Sequence, residues 1–445
     1  MARQEGAESD PRSGPVVSRG RRIDATLRGA LRAFRGPRVA WSPPDGPGLV
    51  GCESAATITA TGPGRFDTIR REAEAVFDSV DVAAEGTPPG ALAPRLVGGF
   101  SFHDEFTSAP PWRGFPGARF VLPRVTVLEA GGETWLSVTE TGPDATPASA
   151  AAALDAAEAR IERAPHRDGP SPGVASAERV PGRAGWREQV EGALGRIAAG
   201  ELEKVVLAQQ LGVRLHGTLR LADVLSRLDR AYLGCYRFAV DPGVGAAFFG
   251  ATPERLITLE DEQVRTVALA GSVGRGGTER EDARLAAELK ASEKIRHEHD
   301  LVVGAIRDQV RSVADDVSVG DVGVRKLANV QHLETPITAD LDGETHVLDL
   351  VEALHPTPAV GGLPPEAARR TIAETEQFDR GWYAAPVGWF DAEGNGTFAV
   401  GIRSAVADGE TATLFAGNGI VSDSDPDAEW DELQLKYRPI LDQLR

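Results

Sequence analysis

The sequence predicts an α/β protein of the α+β type, with mixed or mainly antiparallel strands. Short segments in which apolar and polar residues alternate recur along the chain, for example at 118–130, and such alternation is typical of half-buried strands. Helical segments occur at irregular intervals, without the βαβ alternation of a parallel sheet and without an internal repeat. No GxGxxG or Walker loop follows a predicted strand, so a nucleotide-binding fold has no support.

Composition narrows the classes of function. The chain of 445 residues is long enough to bury a large core and to form an enzyme. Its formal net charge of −18 disfavours nucleic acid and anionic membrane as partners, because like charges repel. Cys52 and Cys235 are the only cysteines, too few for a disulfide framework or a zinc–thiolate site. No apolar run approaches the roughly 20 residues of a membrane span, so we expect a soluble, cytoplasmic protein.

Lysine is scarce, and arginine supplies most of the 48 basic residues. The five lysines are Lys204, Lys290, Lys294, Lys326 and Lys436. An acidic, lysine-poor surface resembles proteins of salt-rich cytoplasm, although GC-rich coding also depletes lysine. The scarcity makes each remaining lysine informative.

For the first part of the chain, the sequence predicts strands followed by a helix and a linker. Residues 1–22 are polar and contain glycine, and we predict a disordered leader there. Residues 23–165 contain strand segments such as 118–130 and end in an alanine-rich helix at 147–162. Residues 166–183 are rich in proline, glycine and serine, which predicts a linker before the remaining region, 184–445.

After the linker, helices and strands follow one another. The predicted helices cover residues 186–199, 219–233, about 279–313, 365–375 and a last segment that begins at Asp425. The predicted strands lie at 204–213, 236–240, 246–249 and 256–259, within 330–350, and around Val387, Phe398 and Leu414.

The last helix has an unusual inward face. An Asp-Pro pair at 425–426 predicts its start, because Asp caps free N–H groups and proline has no N–H to leave unpaired. At about 100° per residue, Glu429, Glu432 and Lys436 fall on the same side as the apolar Leu433. Buried charges are costly unless they are paired or bind a metal. This face therefore predicts either an internal salt-bridge network or a binding site.

A second carboxylate faces inward on the helix predicted at 279–313. Its apolar stripe, which includes Val302 and Ile306, reaches Glu298 when extended by one turn. Glu298 could pair with an arginine, or could share an oxygen-ligand site with the glutamates of the last helix. Carboxylates without cysteine or histidine ligand spacing favour a hard cation such as Mg²⁺. The flanking histidines, His297 and His299, are therefore weak ligand candidates.

Two further residues could move protons. Lys204 opens an apolar strand, where a lysine is either a solvated edge residue or a general base in a closed site. Glu254 lies in a Pro-Glu turn between strands, where it is either exposed or directed into a site.

Two glycine-containing segments and one arginine could hold an anion. Gly271-Ser272 ends a predicted strand, and Gly417 and Gly419 lack the side chains that would keep backbone N–H groups away from a carboxylate. Arg403, predicted on a strand, could form a forked contact with a substrate carboxylate or with an internal acidic residue.

Taken together and in this order, these motifs resemble those of the chorismate-binding enzyme family, which includes anthranilate, aminodeoxychorismate, salicylate and isochorismate synthases. The resemblance covers residues 186–444. It is strongest to the isochorismate-forming members, through KVVLA, TPERL, LAGS, SEKIRHEH, HPTPAVGG, GIRSA, AGNGIV and EWDELQLK.

The resemblance implies roles for these residues. Lys204 would activate water, and Glu254 would donate a proton. Glu298 and Glu432 would bind Mg²⁺, with Glu429 as a further ligand or a support behind them. The groups that would hold the carboxylates of the substrate, chorismate, are Gly271, Ser272, Arg403, Gly417 and Lys436.

The family also implies an architecture of two stacked, mainly antiparallel sheets with helices outside, to which residues 23–165 add strands. It implies a monomer. Lys204 argues against the ammonia-using anthranilate synthases, and Ala270 stands where aminodeoxychorismate synthases carry a lysine. Salicylate synthases share the Lys-Glu pair, and a catalytically silent binding homologue is the alternative of another class. Gln209, where many relatives have arginine, is a departure beside the motif.

Overall fold

The computed structural model describes residues 16–445, except residues 79, 85–92, 166, 315, 328–329, 342 and 344. The described strands are β1 (Val16–Ile23), β2 (Arg38–Ser42), β3 (Gly48–Ala60), β4 (Val80–Ala84), β5 (Leu96–Phe100), β6 (Ala118–Ala130), β7 (Glu133–Thr141), β8 (Val174–Val180), β9 (Lys204–Leu215), β10 (Tyr236–Asp241), β11 (Ala247–Thr252), β12 (Arg255–Glu260), β13 (Gln263–Gly274), β14 (Asp316–Val319), β15 (Gly323–Lys326), β16 (Val330–Asp340), β17 (Gly362–Leu363), β18 (Pro386–Phe390), β19 (Gly396–Val400), β20 (Ser404–Asp408) and β21 (Thr411–Ile420). The described helices are α1 (Leu27–Ala33), α2 (Arg65–Phe77), α3 (Pro147–Glu162), α4 (Arg183–Ala198), α5 (Leu221–Ala231), α6 (Glu279–Ala291), α7 (Glu293–Arg311), α8 (Val347–Leu354), α9 (Pro365–Thr375) and α10 (Pro426–Leu444).

The strands form one hydrogen-bonded network with two branches that meet at the long strands β3 and β6. One branch runs from β6 through β3, β2, β10, β11, β20 and β21 to β9. The other runs from β6 through β5, β18, β19, β12 and β13 to β16. The described strands of both branches are thus linked into a single network of 21 strands. The predicted class, α/β with mainly antiparallel strands, is confirmed.

Aromatic side chains pack together next to the strands of both branches. The ring of Phe248 on β11 lies 6.4 Å from Trp382, which shortly precedes β18, and Phe120 on β6, the strand that the branches share, lies 6.1 Å from Phe398 on β19. Both pairs are edge-to-face, an arrangement that aromatic quadrupoles favour. Each buried ring of this size contributes on the order of 1.5–3 kcal/mol. This core fixes the positions of the strand ends that carry the site.

Two predictions about the first part of the chain need correction. The disordered leader was wrong for residues 16–22, because they belong to β1, which pairs with β4 and β7. Residues 1–15 lie outside the described residues. The predicted linker at 166–183 contains β8, which pairs with β9. In both cases a distant partner strand satisfies the backbone, and composition carries no signal of that pairing.

The helix predicted at 279–313 is divided into α6 and α7. Ser292 separates them with an extended backbone (φ −69°, ψ 112°), and its hydroxyl accepts from the Ile295 N–H at 3.4 Å. A serine cap competes with helix continuation, which the apolar periodicity alone does not reveal. Among the described residues, no helix has the length and apolar character needed to cross a membrane.

Candidate active site

A cavity of about 420 Å³ opens between β9, β13, β21 and the helices α7 and α10. All ten predicted site residues line it. They are Lys204, Glu254, Gly271, Ser272, Glu298, Arg403, Gly417, Glu429, Glu432 and Lys436.

Lys204 begins β9 in the interior of the network. It is paired across to Leu363 of β17, and its side chain is only 6% exposed. It is therefore not a solvated edge residue. Its Nζ lies 3.4 Å from Oε1 of Glu298, which is 28% exposed, so Glu298 pairs with this lysine rather than with an arginine. The lysine and the carboxylate meet at the cavity.

Glu254 is buried at the turn between β11 and β12. Its backbone N–H donates to Thr252 Oγ1 at 3.2 Å, and its carbonyl oxygen accepts from the Val400 N–H at 3.0 Å. Burial raises the pKa of its carboxyl to about 7, against the opposing effect of Arg403 and Lys204. Glu254 can therefore carry a proton near neutral pH, as a general acid must.

The inward face of α10 is both a salt-bridge network and part of the cavity wall. Lys436 Nζ lies 2.9 Å from Glu432 Oε1 and donates to the Gly417 carbonyl oxygen at 2.9 Å and to Asn418 Oδ1. Burial lowers the pKa of Lys436 although Glu432 opposes this. For Glu432, burial acts to raise the pKa, but the charge and hydrogen bond of Lys436, together with the charge of Arg403, lower the pKa overall. The two alternatives for this face are thus not exclusive.

Asn418 forms hydrogen bonds with both the side chain and the backbone of Glu429. The Asn418 side-chain amide donates to Glu429 Oε2 at 2.7 Å and to its carbonyl oxygen at 2.8 Å. Burial raises the pKa of Glu429. Sequence reasoning missed Asn418, although a polar residue between two glycines in an apolar strand was a usable signal.

Arg403 lies in a bend between β19 and β20, with φ 51°, and the prediction that it lies on a strand was wrong. A left-handed conformation is costly for a residue with a side chain and occurs often at functional sites. In the part of the chain that the structure describes, no hydrogen bond or ion pair reaches its guanidinium. Burial lowers its pKa. No internal acidic partner is found among the described residues, so the guanidinium is available to a ligand.

The Gly271-Ser272 segment is a bulge inside β13 rather than its end. Gly271 has φ +73°, and a Cβ at this position would lie 2.3 Å from Ile295 Cγ2 on α7. The Ser272 hydroxyl and His332 Nδ1 are 2.8 Å apart. The bulge brings backbone and hydroxyl groups to the cavity where a regular strand would continue past it.

The glycines of β21 serve close packing with other site residues. A Cβ on Gly417 would lie 3.1 Å from the Tyr383 hydroxyl oxygen, and a Cβ on Gly419 would lie 2.7 Å from Lys204 Cε. Gly419 therefore leaves the space that the lysine side chain occupies. The sequence pointed to glycine there for a different reason, the approach of a carboxylate.

Sequence reasoning also missed three buried residues that line the cavity, His332, Tyr383 and Arg380. Burial, together with the charges of Arg403 and Lys436, lowers the pKa of His332 to about 3, so the ring is neutral. Burial raises the pKa of Tyr383 to about 12, so the phenol keeps its proton. These residues stand in apolar strands and turns, where nothing local separates a cavity side chain from a core one.

The carboxylates of Glu298 on α7 and Glu432 on α10 face the same cavity. Within the described ranges, no three acidic, histidine or cysteine residues come together as a ready metal cluster. His299 Nε2 is hydrogen-bonded to Thr335 Oγ1 at 2.8 Å and does not line the cavity. Two carboxylates without thiolates fit a hard cation that takes its other ligands from water and an anionic substrate.

Comparisons with known proteins identify the family of the chain. The family described as chorismate binding enzyme matches residues 17–445. The chain is 40% identical over 359 residues to the salicylate biosynthesis isochorismate synthase of Pseudomonas aeruginosa, covering 80% of this chain and 75% of that protein. It is 36% identical over 430 residues to isochorismate synthase MenF of Bacillus subtilis, covering 93% and 89%. The structure of MenF, the menaquinone-specific isochorismate synthase from Escherichia coli, matches with a TM-score of 0.82 at 26% identity, over 97% of this chain and 95% of that one. The chain belongs to the chorismate-binding enzyme family.

Proposed function

We propose that this protein is an isochorismate synthase, which adds water at C2 of chorismate while the C4 hydroxyl leaves. The observation that carries the proposal is a buried lysine and a buried glutamic acid, Lys204 and Glu254, on one cavity with an unpaired arginine. Relatives bearing the name isochorismate synthase support it.

The two residues have opposite proton roles. Lys204 acts as the base and takes a proton from water as the water oxygen bonds to C2. The ring double bonds shift, the C4–O bond breaks, and Glu254 gives its proton to the departing oxygen, which leaves as water. One water enters and one leaves, so the reaction is an isomerisation. Proton exchange with solvent then restores both residues.

The cations of the cavity bind the substrate. Chorismate carries two carboxylates, and the net charge of the protein is −18, so local positive charge has to overcome general repulsion. Arg403 offers a guanidinium without an internal partner, and Lys436 offers a buried ammonium. Gly271, Ser272 and Gly417 complete the proposed contacts with the carboxylates. All these groups belong to a single chain, so we propose that the monomer is the active unit.

We propose Mg²⁺ as the cofactor, held by Glu298 and Glu432. A bound magnesium ion would supply positive charge that offsets a substrate carboxylate. Glu429 is either a direct ligand or, through its bond from Asn418, a support for the neighbouring carboxylate. Without the ion, these carboxylates would repel the substrate.

The experiment is incubation of the purified protein with chorismate and Mg²⁺, followed by chromatography of the products. We expect isochorismate without pyruvate. Release of pyruvate with salicylate as the main product would refute the isomerase and support a salicylate synthase, and binding without turnover would support a silent homologue. The relatives' names include both menaquinone and salicylate biosynthesis, and we propose that the isochorismate supplies one of these two routes.

A lysine variant tests the mechanism. Lys204→Ala should abolish turnover and leave chorismate binding in the presence of Mg²⁺ largely intact, because Arg403 and Lys436 remain. Isothermal titration measures the binding, and circular dichroism checks the fold. Loss of folding would instead indicate a structural lysine.

A further inference from the structure

Strand β9, which begins with Lys204, has a gap along one edge. At its start β17 pairs with Lys204 and Val205, and the Val206 N–H donates to the Gly361 carbonyl oxygen at 2.9 Å. Pairing with β8 begins only at Gln210. The opposite edge is paired continuously with β21. The Val206 carbonyl and the Ala208 N–H therefore have no partner strand on this edge, and unpaired buried backbone groups are costly.

A buried ion pair fills this gap. Arg380 Nη2 donates to the Val206 carbonyl oxygen at 2.7 Å, and Glu376 Oε1 accepts from the Ala208 N–H at 2.8 Å. Arg380 Nε donates to Glu376 Oε2 at 2.9 Å, which joins the two side chains. The pair thus takes the two backbone groups that a strand would take.

The same arginine reaches the loop beside the cavity. Its Nη1 donates to the Val360 carbonyl oxygen at 2.9 Å, and its guanidinium carbon lies 4.4 Å from the centre of the Phe102 ring. Val360 and Arg380 both line the cavity. One side chain therefore connects β9, the loop that leads into β17, and the segment after β5.

The ion pair fixes the position of the backbone more than it stabilises the fold. The side chains of Arg380 and Glu376 are 1% and 2% exposed. Desolvation offsets most of the attraction in such a pair, so apolar residues of similar volume can serve stability equally well. Apolar residues cannot hold the Val206 carbonyl and the Ala208 N–H at fixed positions.

We propose that Arg380 and Glu376 are positioning residues that hold the start of β9 and thereby place the Lys204 amine for its reaction. Lys204 lies two residues before Val206, so the side chains of Lys204 and Val206 project from the same face of β9 into the cavity. The catalytic consequence rests on the proposed function. The effect on β9 itself does not.

The test uses two variants that avoid an unpaired buried charge. Arg380→Lys keeps the charge but cannot hold both carbonyl oxygens and Glu376 with a planar fork. The double variant Glu376→Gln, Arg380→Gln removes both charges and keeps an acceptor for the Ala208 N–H. The matched control is Glu374→Gln, which breaks the ion pair of Glu374 with Arg196 (2.7 Å) at the more exposed side of α9.

Hydrogen–deuterium exchange and steady-state kinetics are measured on all variants. We expect faster exchange in the peptide that covers residues 205–209, with unchanged exchange in the part of β9 that pairs with β8. We expect kcat to fall roughly 10- to 100-fold with KM for chorismate within about two-fold, since a displacement on the order of 1 Å at a reacting group costs about 10²-fold. The control should change neither quantity.

Three results would overturn the proposal. Unchanged exchange at residues 205–209 shows that the pair does not hold β9. A lower melting temperature with exchange faster throughout the network and normal kcat per folded molecule shows a purely structural pair. A raised KM with normal kcat shows that Arg380 binds substrate instead. If the wild-type protein does not turn over chorismate, the proposed function fails separately, and the exchange data still decide whether the pair holds β9.

Discussion

The substitution Gly419→Ala should lower activity without lowering the stability of the fold. The new Cβ would lie 2.7 Å from Lys204 Cε and 3.3 Å from its Nζ. Ordinary carbon–carbon contacts are about 3.5–4.0 Å, so the end of the lysine must withdraw by about 1 Å. A misplacement of that size costs about 10²-fold in rate, or about 2.7 kcal/mol of activation free energy.

The free energy of unfolding should hardly change. The atoms that must move are the far end of a flexible side chain, and Gly419 does not have a positive φ. Alanine also reduces the entropy of the unfolded chain, an effect of about 0.4–1 kcal/mol in favour of folding. We therefore expect an unchanged or slightly raised melting temperature together with the loss of kcat.

The assay is isochorismate formation, with kcat and KM measured alongside thermal unfolding. Gly212→Ala is the matched control, because Gly212 pairs with Thr413 in the same two strands and its Cβ would meet only a carbonyl oxygen at 3.8 Å. The control should retain full activity. A fully active Gly419→Ala variant, or one whose activity falls only as much as its folded fraction, would refute the reasoning.

The remaining predictions concern pH, the β13 bulge and salt. Turnover should decline as pH rises through about 7, since Glu254 then loses its proton; a profile flat to pH 9 would contradict this. The folded-state pKa of Glu254 is raised, so the contribution of this carboxyl to stability is full below its ordinary pKa and is lost as pH rises through about 7. Between pH 5 and 9, the melting temperature of the wild type should therefore fall by more than that of Glu254→Gln. Gly271→Ala should destabilise the fold by more than about 1 kcal/mol in urea unfolding, because φ is +73° and Cβ would lie 2.3 Å from Ile295; an unchanged midpoint would count against this. The acidic composition predicts a melting temperature that rises with added salt, and full stability and activity in dilute buffer would argue against it.

Local patterns predicted the elements that depend on neighbours in sequence. The helices α3 and α9 have the predicted bounds, since caps, prolines and periodicity all act within a few residues. The strands β1 and β8 were missed because each obtains its hydrogen bonds from a distant partner. The break between α6 and α7 was missed because Ser292 interrupts an otherwise continuous pattern.

The candidate site shows the same difference between features that are local in sequence and features that depend on distant contacts. Unusual residue types in the sequence, a rare lysine and acidic residues on apolar faces, were enough to identify Lys204, Glu298 and Glu432 as candidates, and the resemblance of the surrounding motifs indicated the family. Their roles as base and metal ligands stay predictions. Arg380, which contacts β9 beside Lys204, carries no comparable signal, because Val206 lies far away in the chain.

The sequence by itself therefore indicated the fold class and the groups that could do chemistry through composition and periodicity, and the family through the resemblance of its motifs, since all of these are local properties. Only the tertiary structure decided which charges are paired. It placed Lys204 beside Glu298 and in the space left by Gly419, and it left Arg403 without an ion-pair partner in the described part of the chain. Pairing and burial depend on contacts between distant segments, and these alone set the pKa of Glu254 and the charge available to a substrate.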